Sequence, residues 1–236
     1  MKLNQTRTIF RREFSSFLKS PGAYILLTLY LLITGWFFFS TFFLSGRADL
    51  RSFFQLMPLI LSFTIPAITM RQFSEEYRSG SMEILGTLPV TTGDVIAGKS
   101  LSSLLFVGCM LLPTLSYPVF ISFLGELDWG PVIGGYLGAL FLSAAYIGIG
   151  LLASSATNNQ IVAFIIGTVI CLFLSIIDRM LVLIPSGLGQ LLQNLGTGYH
   201  FTNISRGIID SRDIIYFASM IFLSHYAAWI INREHR

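Results

Sequence analysis

Charge is scarce in this 236-residue sequence: Asp, Glu, Lys and Arg make up 11% of it, less than half of the roughly 25% usual in soluble domains. Low charge with 53% hydrophobic residues excludes intrinsic disorder, which needs the opposite balance. A mean hydropathy of +0.71, carried by long unbroken apolar runs, excludes an ordinary water-soluble enzyme, because such runs are stable in lipid. Cysteine is nearly absent. Cys109 and Cys171 both lie inside apolar runs and read as small hydrophobes, with no disulfide or metal site implied. Nucleic-acid binding has no support, since no basic patch is interleaved with aromatics. No G-x-S-x-G nucleophile motif and no H-E-x-x-H zinc motif occurs.

Ionisable groups are rarest within the apolar runs themselves. Asp178 and Arg179 sit at the edge of one run, and His225 is the only imidazole inside another. Ion-coupled carriers keep Asp, Glu or His at depth to bind the coupling ion. Their near absence argues against a proton- or sodium-driven pump, so energy would enter from outside the bilayer. His225 reads as a hydrogen-bonded packing residue.

Six runs approach the roughly 20 residues that cross a bilayer: Tyr24–Ser45, Phe53–Met70, Leu101–Gly125, Val132–Ala153, Ile161–Ile177 and Ile214–Ile231. The first is too long for a cleaved signal segment and reads as a retained span. Six spans place both termini on one side. With that side inside, the inner segments hold Lys2, Arg7, Arg11, Arg12, Lys19, Arg71, Arg78, Lys99, Arg233 and Arg236, and the outer ones Arg47, Arg51, Arg179, Arg206 and Arg212, ten against five. The excess makes the termini cytoplasmic. The large inner loop is then residues 71–100 and the large outer loop residues 178–213. The reading is all-α: a single transmembrane unit over 1–236, opened by an interfacial helix over 1–22.

In that opening segment Leu3, Phe10, Phe14 and Phe17 recur at helical spacing, with Arg7, Arg11, Arg12 and Lys19 largely away from them, until Pro21-Gly22 breaks the helix. This is the pattern of an amphipathic helix in the cytoplasmic interface, in contact with membrane lipids; a plain basic flank is the alternative. The fourth run carries Gly134, Gly135, Gly138, Ala144, Ala145, Gly148 and Gly150, which permit close helix approach, within the chain or between subunits. Pro58 and Pro66, and Pro113 and Pro118, each remove a backbone bond and predict irregular second and third spans.

Gly93–Ser100 fits G-x-x-x-x-G-K-[ST] letter by letter, the spacing that wraps backbone N–H groups around phosphates. No buried strand precedes it, however, and an apolar run follows at once. The expected reading is that Thr92 caps the third span, Asp94 sits in its first turn, and Lys99 snorkels to the headgroups.

Within the inner loop, Arg71, Glu75 and Arg78 fall on one helical face, and Phe73 and Tyr77 on the other, with Glu76 on the flank. Gly80 allows that helix to end; Ser81 then caps a second turn with Glu83 near its start, stopped by Pro89. The pattern suits a docking element with aromatics toward the membrane and charges toward the cytoplasm; a solvated loop is the alternative. In the outer loop Leu188, Leu191, Leu192 and Leu195 follow Ser186 and precede Gly196, which predicts an amphipathic helix too short to span, plugging a cavity or lying on the surface.

Glu76, Gly80, Ser81, Glu83, Leu85, Thr87, Pro89 and Val90, then Gly98, Lys99 and Leu101, resemble the signature of ABC-2 type permeases, the membrane subunits of ATP-binding-cassette exporters. Ser154–Gln160 with Ala163 is similar to their connection between the fourth and fifth spans. The stretch from Tyr199 to Phe217 is similar to the gliding-motility-associated branch, with likeness to copper-enzyme maturation permeases. The resemblance implies six spans, a connecting helix, a coupling helix between spans two and three, and short re-entrant helices on the outer side. It implies a homodimer or a pairing of related permeases on two cytoplasmic ABC ATPase subunits, in a bacterial inner membrane. ATP and Mg would belong to those ATPases, with no cofactor bound by this chain. Phe73, Glu75, Glu76, Tyr77, Arg78, Gly80 and Glu83 are the expected ATPase-coupling residues, and Arg7, Phe10, Arg11, Phe14 and Phe17 those of the interfacial helix. The expected function is export of a lipid-linked or amphipathic substrate. The alternative is a mechanotransmission subunit that relays ATP-driven strain to a periplasmic partner without cargo.

Overall fold

The computed structural model describes residues 2–45, 49–82, 90–180, 193–208 and 210–234, and among these no strand forms. The elements are α1 (Lys2–Lys19), α2 (Pro21–Ser45), α3 (Arg51–Thr69), α4 (Ser74–Arg78), α5 (Thr92–Leu111), a 3₁₀ turn (Leu112–Leu115), α6 (Ser116–Ser122), α7 (Trp129–Ser155), α8 (Gln160–Ile176), α9 (Thr197–Ser205) and α10 (Ser211–Glu234). Only Ser20 separates α1 from α2, and Pro21 opens α2 at a position where its missing N–H costs nothing.

Among the described residues, five helical segments are long and apolar enough to cross a membrane: Pro21–Phe43, Arg51–Arg78, Thr92–Ser122, Trp129–Ser155 and Ser211–Arg233. The protein is a multi-pass membrane protein. The fifth expected span, α8, is apolar but only 17 residues long, a rise of about 25 Å against a hydrocarbon core of about 30 Å. The third span is continuous only as far as Leu111. Pro113 lacks the N–H an α-helix needs, and the chain tightens into the 3₁₀ turn before α6 resumes. In the second span Pro58 and Pro66 are accommodated within one helix.

The centre of the bundle is α7, which packs against α3, α5, α8, α9 and α10. Its small residues make this possible within the chain. A Cβ at Gly135 would collide with the Phe54 ring on α3, one at Gly150 with Thr69 on α3, and one at Gly148 with Ser224 on α10. Without a hydrophobic force between helices in lipid, such close approach is what holds them. Several polar side chains inside the bundle satisfy one another. Tyr146 Oη lies 2.5 Å from Ser175 Oγ and 2.8 Å from Thr197 Oγ1, and Ser175 donates to the Pro58 carbonyl at 3.1 Å, tying α3, α7, α8 and α9. His225 contacts Ile221 O at 2.7 Å and Ser100 Oγ at 2.8 Å. Its Nδ1 donates to that carbonyl, and Nε2 is hydrogen-bonded to the Ser100 hydroxyl, so the ring joins α10 to α5.

At the other end of the bundle, His200 Nδ1 lies 2.6 Å from Asp213 Oδ1, joining α9 to the first turn of α10. Asp210 Oδ1 accepts from Arg212 N at 3.0 Å and caps that turn. The helix expected over Leu188–Leu195 lies largely outside the described residues; of it, 193–195 are helical.

Candidate functional site

The connection between α3 and α5 is where charge concentrates, and its described part, residues 70–82, holds a short helix clamped on one side. Ser154, near the end of α7, is the main clamp. Its Oγ accepts from the N–H of Phe73 (3.0 Å) and of Ser74 (3.1 Å) and donates to Met70 O (2.9 Å). One hydroxyl therefore serves both the start of α4 and the end of α3, groups that helix termini leave unpaired. Phe73 is fully buried. Tyr77, four residues on, donates from its hydroxyl to Asn232 Oδ1 on α10 at 2.8 Å, and Asn232 is itself fully buried. Gln72 Nε2 donates to Ser103 Oγ on α5 at 3.2 Å.

Beneath α4 lies a buried ionic cluster centred on Lys99. Its ammonium donates to Gln72 O at 2.6 Å, to Glu76 Oε1 at 2.9 Å and to Glu13 Oε1 at 3.4 Å. Three N–H bonds thus meet three acceptors, and the Phe73 ring stands 5.1 Å away, favourable for a cation. Arg12 closes the cluster from α1, 3.4 Å from Glu76 and 3.6 Å from Glu13. The Lys99 side chain is 2% exposed. The expectation that Lys99 snorkels to headgroups is overturned: the α1 and α4 carboxylates offer it partners in the interior, and burying a charge is tolerable when it is paired and hydrogen-bonded. Glu76 Oε2 and Gln72 Oε1 remain buried with no hydrogen-bond partner among the described residues.

The outward face of α4 is the reverse. Arg71, Glu75 and Arg78 are exposed, as their i, i+4, i+7 spacing requires, and none has an ion-pair partner among the described residues. A cleft of about 550 Å³ opens beside them, lined by Arg12, Ser16, Arg71 and Glu75 among others. Gly80, at φ 70°, occupies the left-handed position just past the helix, where a Cβ is penalised. Glu83, Leu85, Thr87 and Pro89 lie outside the described residues.

The N-terminal helix α1 lies along α5. Phe14 and Phe17 turn inward, with Phe17 stacked on Phe106 at 5.0 Å, while Arg7, Arg11, Arg12 and Lys19 are exposed. Phe10, half-buried, stacks on Phe14 at 6.1 Å. Thr6 Oγ1 donates to Asp94 Oδ1 at 2.9 Å, and Gly98 lets α5 approach Ile9. Asp94 also completes a reciprocal cap with Thr91. The cap residue is therefore Thr91, one position before Thr92. Residues 93–100, the P-loop look-alike, are the first turns of α5; their N–H groups belong to the helix and form no phosphate-wrapping loop.

Sequence reasoning placed Phe73, Glu75, Glu76, Tyr77, Arg78 and Gly80 on this element, and the structure brings them there, with Glu76 turned inward onto Lys99 rather than left on the flank. It missed Glu13, Lys99, Gln72, Ser154 and Asn232, the residues that fasten the element. Their partners lie far apart in sequence, Glu13 and Lys99 being 86 positions apart, so helical spacing did not reveal them. Among the described residues no group of three His, Cys, Asp or Glu side chains is positioned to hold a metal. The arrangement joins an exposed charged face to α1, α5, α7 and α10.

Residues 7–206 match the family model described as ABC-2 family transporter protein. No curated protein matches the chain.

Proposed function

Because the chain belongs to the ABC-2 transporter family, a family of membrane transport components that are not themselves catalytic, we propose that it is the permease subunit of an ATP-driven exporter complex. In this reading two cytoplasmic ATPase subunits bind nucleotide and engage the outward face of α4. Two permease chains, identical or related, form the membrane body, with α8 as a sixth, short span and both termini cytoplasmic in a bacterial inner membrane. The cargo is lipid-linked or amphipathic, in keeping with the apolar walls of the spans.

The observation that carries the reading is the two-sidedness of residues 70–80. One side is fixed by hydrogen bonds and ion pairs to four helices, and the other presents Arg71, Glu75 and Arg78 to solvent. A force applied to the outer face is delivered to α1, α5, α7 and α10 together, because a packed, hydrogen-bonded element moves as a unit. The test is to co-purify the chain with its ATPase, reconstitute the complex, and compare wild type with the Glu75→Lys/Arg78→Glu variant. Retained assembly of the permease with loss of the transport-linked ATPase rate supports the reading. Unchanged coupled ATP hydrolysis in the double reversal counts against it.

A further inference from the structure

A second feature lies on the other side of α1, away from the ionic cluster. A groove of about 840 Å³ runs between α1, α5 and α7, walled by Phe10, Leu101, Leu105 and Leu140, with Gly108 in its lining. The groove is open along one side, as a site for a chain shared with the bilayer must be. Leu101, Leu105 and Leu140 remain exposed, so the chain does not fill the groove itself. Gly108 shows the same thing from the backbone: a Cβ built there meets nothing within 4 Å, whereas on the same helix a Cβ at Gly98 would press into Ile9.

The rim is polar and cationic. Arg7 lines the groove and is exposed, with Arg11 exposed one turn on. Neither has a carboxylate within 4 Å among the described residues. Asp94, which contacts α1 through Thr6, is engaged with Thr6 and Thr91. An apolar trough that opens under unpaired guanidinium groups matches one ligand chemistry: an alkyl chain carrying an anionic phosphate. Arginine forks are suited to phosphate oxygens.

We propose that this groove is a binding site for one anionic glycerophospholipid, its acyl chain along α5 over Gly108 and its phosphate on Arg7. The lipid would then wedge between α1 and the bundle and set how tightly α1, which supplies Arg12 and Glu13 to the cluster, is held against α5. The inference takes from the proposed function only that α1 lies at a membrane interface.

The full chain is purified in mild detergent, exposed to equal amounts of phosphatidylglycerol and phosphatidylcholine, and its bound lipid counted by native mass spectrometry with no ATPase present. Wild type is expected to retain one phosphatidylglycerol in preference to phosphatidylcholine. Arg7→Glu is expected to cut that preference by about tenfold, since each cation near the surface favours anionic lipid. Gly108→Leu, which fills open space, is expected to lower retention of the bound lipid. Gly35→Leu, in the cation-free groove of α2 beside Trp36 and Phe39, is expected to leave it unchanged. Equal retention of the two lipids by wild type overturns the proposal, as does unchanged preference in Arg7→Glu or equal loss in the Gly35→Leu control. Arg7 is exposed, so its variant decides the matter even if Gly108→Leu does not fold. The readout is independent of any coupling to ATP, so failure here and failure of the exporter reading are separate results.

Discussion

A buried ammonium must find a partner for each of its three N–H bonds, and Lys99 finds them in the turn before α4 (Gln72 O), on α4 (Glu76) and on α1 (Glu13). Such a cluster is specific more than it is stabilising, because desolvation offsets much of the Coulomb gain. Removing one partner is another matter, since the remaining charges stay buried. Lys99→Met is expected to destabilise the protein by about 3–5 kcal/mol, seen as a lowered unfolding temperature in detergent. Lys99→Met combined with Glu76→Met is expected to recover most of that loss; a double variant as unstable as the single one would show that the pair does not act as a unit. Glu75 behaves differently, although it is Glu76's neighbour. It is exposed and unpaired, so Glu75→Lys is expected to change stability by no more than about 0.5 kcal/mol, measured in the same assay, while affecting coupling. This distinction was only partly legible in the sequence. Helical spacing put Glu75 with Arg71 and Arg78, and Phe73 with Tyr77, on opposite faces. It left Glu76 on the flank, because the residue that draws it inward, Lys99, is 23 positions away and reads as a surface lysine until α1 and α4 are seen to surround it.

At the scale of elements, α7 carries the architecture, and its glycines are spaced for particular neighbours: Gly135 for Phe54, Gly148 for Ser224 and Gly150 for Thr69. Gly148→Val is expected to destabilise by about 1–3 kcal/mol through overpacking, whereas Gly108→Ala on α5, which faces open space, is expected to be neutral or slightly stabilising. Thermal unfolding of the two variants side by side checks this; equal loss in both would mean that the close approach of α7 is not what holds the bundle. The existence of these helices could be read directly from hydrophobic runs, because a bilayer demands length and apolarity of each. Their interruptions were harder. Pro113 signalled irregularity but not that α5 would pass through a 3₁₀ turn. The cap at Thr91 was displaced by one residue because Thr91 and Thr92 are chemically alike, and only the reciprocal bond to Asp94 separates them. Gly80 was legible for a simple reason: a helix that must stop after one and a half turns needs a left-handed residue, and glycine adopts that conformation without strain. Gly80→Ala is accordingly expected to cost about 1 kcal/mol.

For the whole molecule, the account rests on a division of labour. Among the described residues the bundle contains few ionisable groups: Lys99 pairs with Glu76 and Glu13, His200 with Asp213, and His225 is bonded to Ser100. The clamped element α4 turns a charged face outward, away from the apolar body. A permease that depends on an external motor needs such an element on the motor's side of the membrane. The most direct test is site-specific photo-crosslinking in cells, with a benzophenone amino acid placed at Glu75 and, as the control, at Glu126, which is exposed in the connection between α6 and α7. The account predicts that the Glu75 probe captures an ABC ATPase and the Glu126 probe does not. No ATPase adduct at Glu75, or the same adduct from both positions, would contradict it.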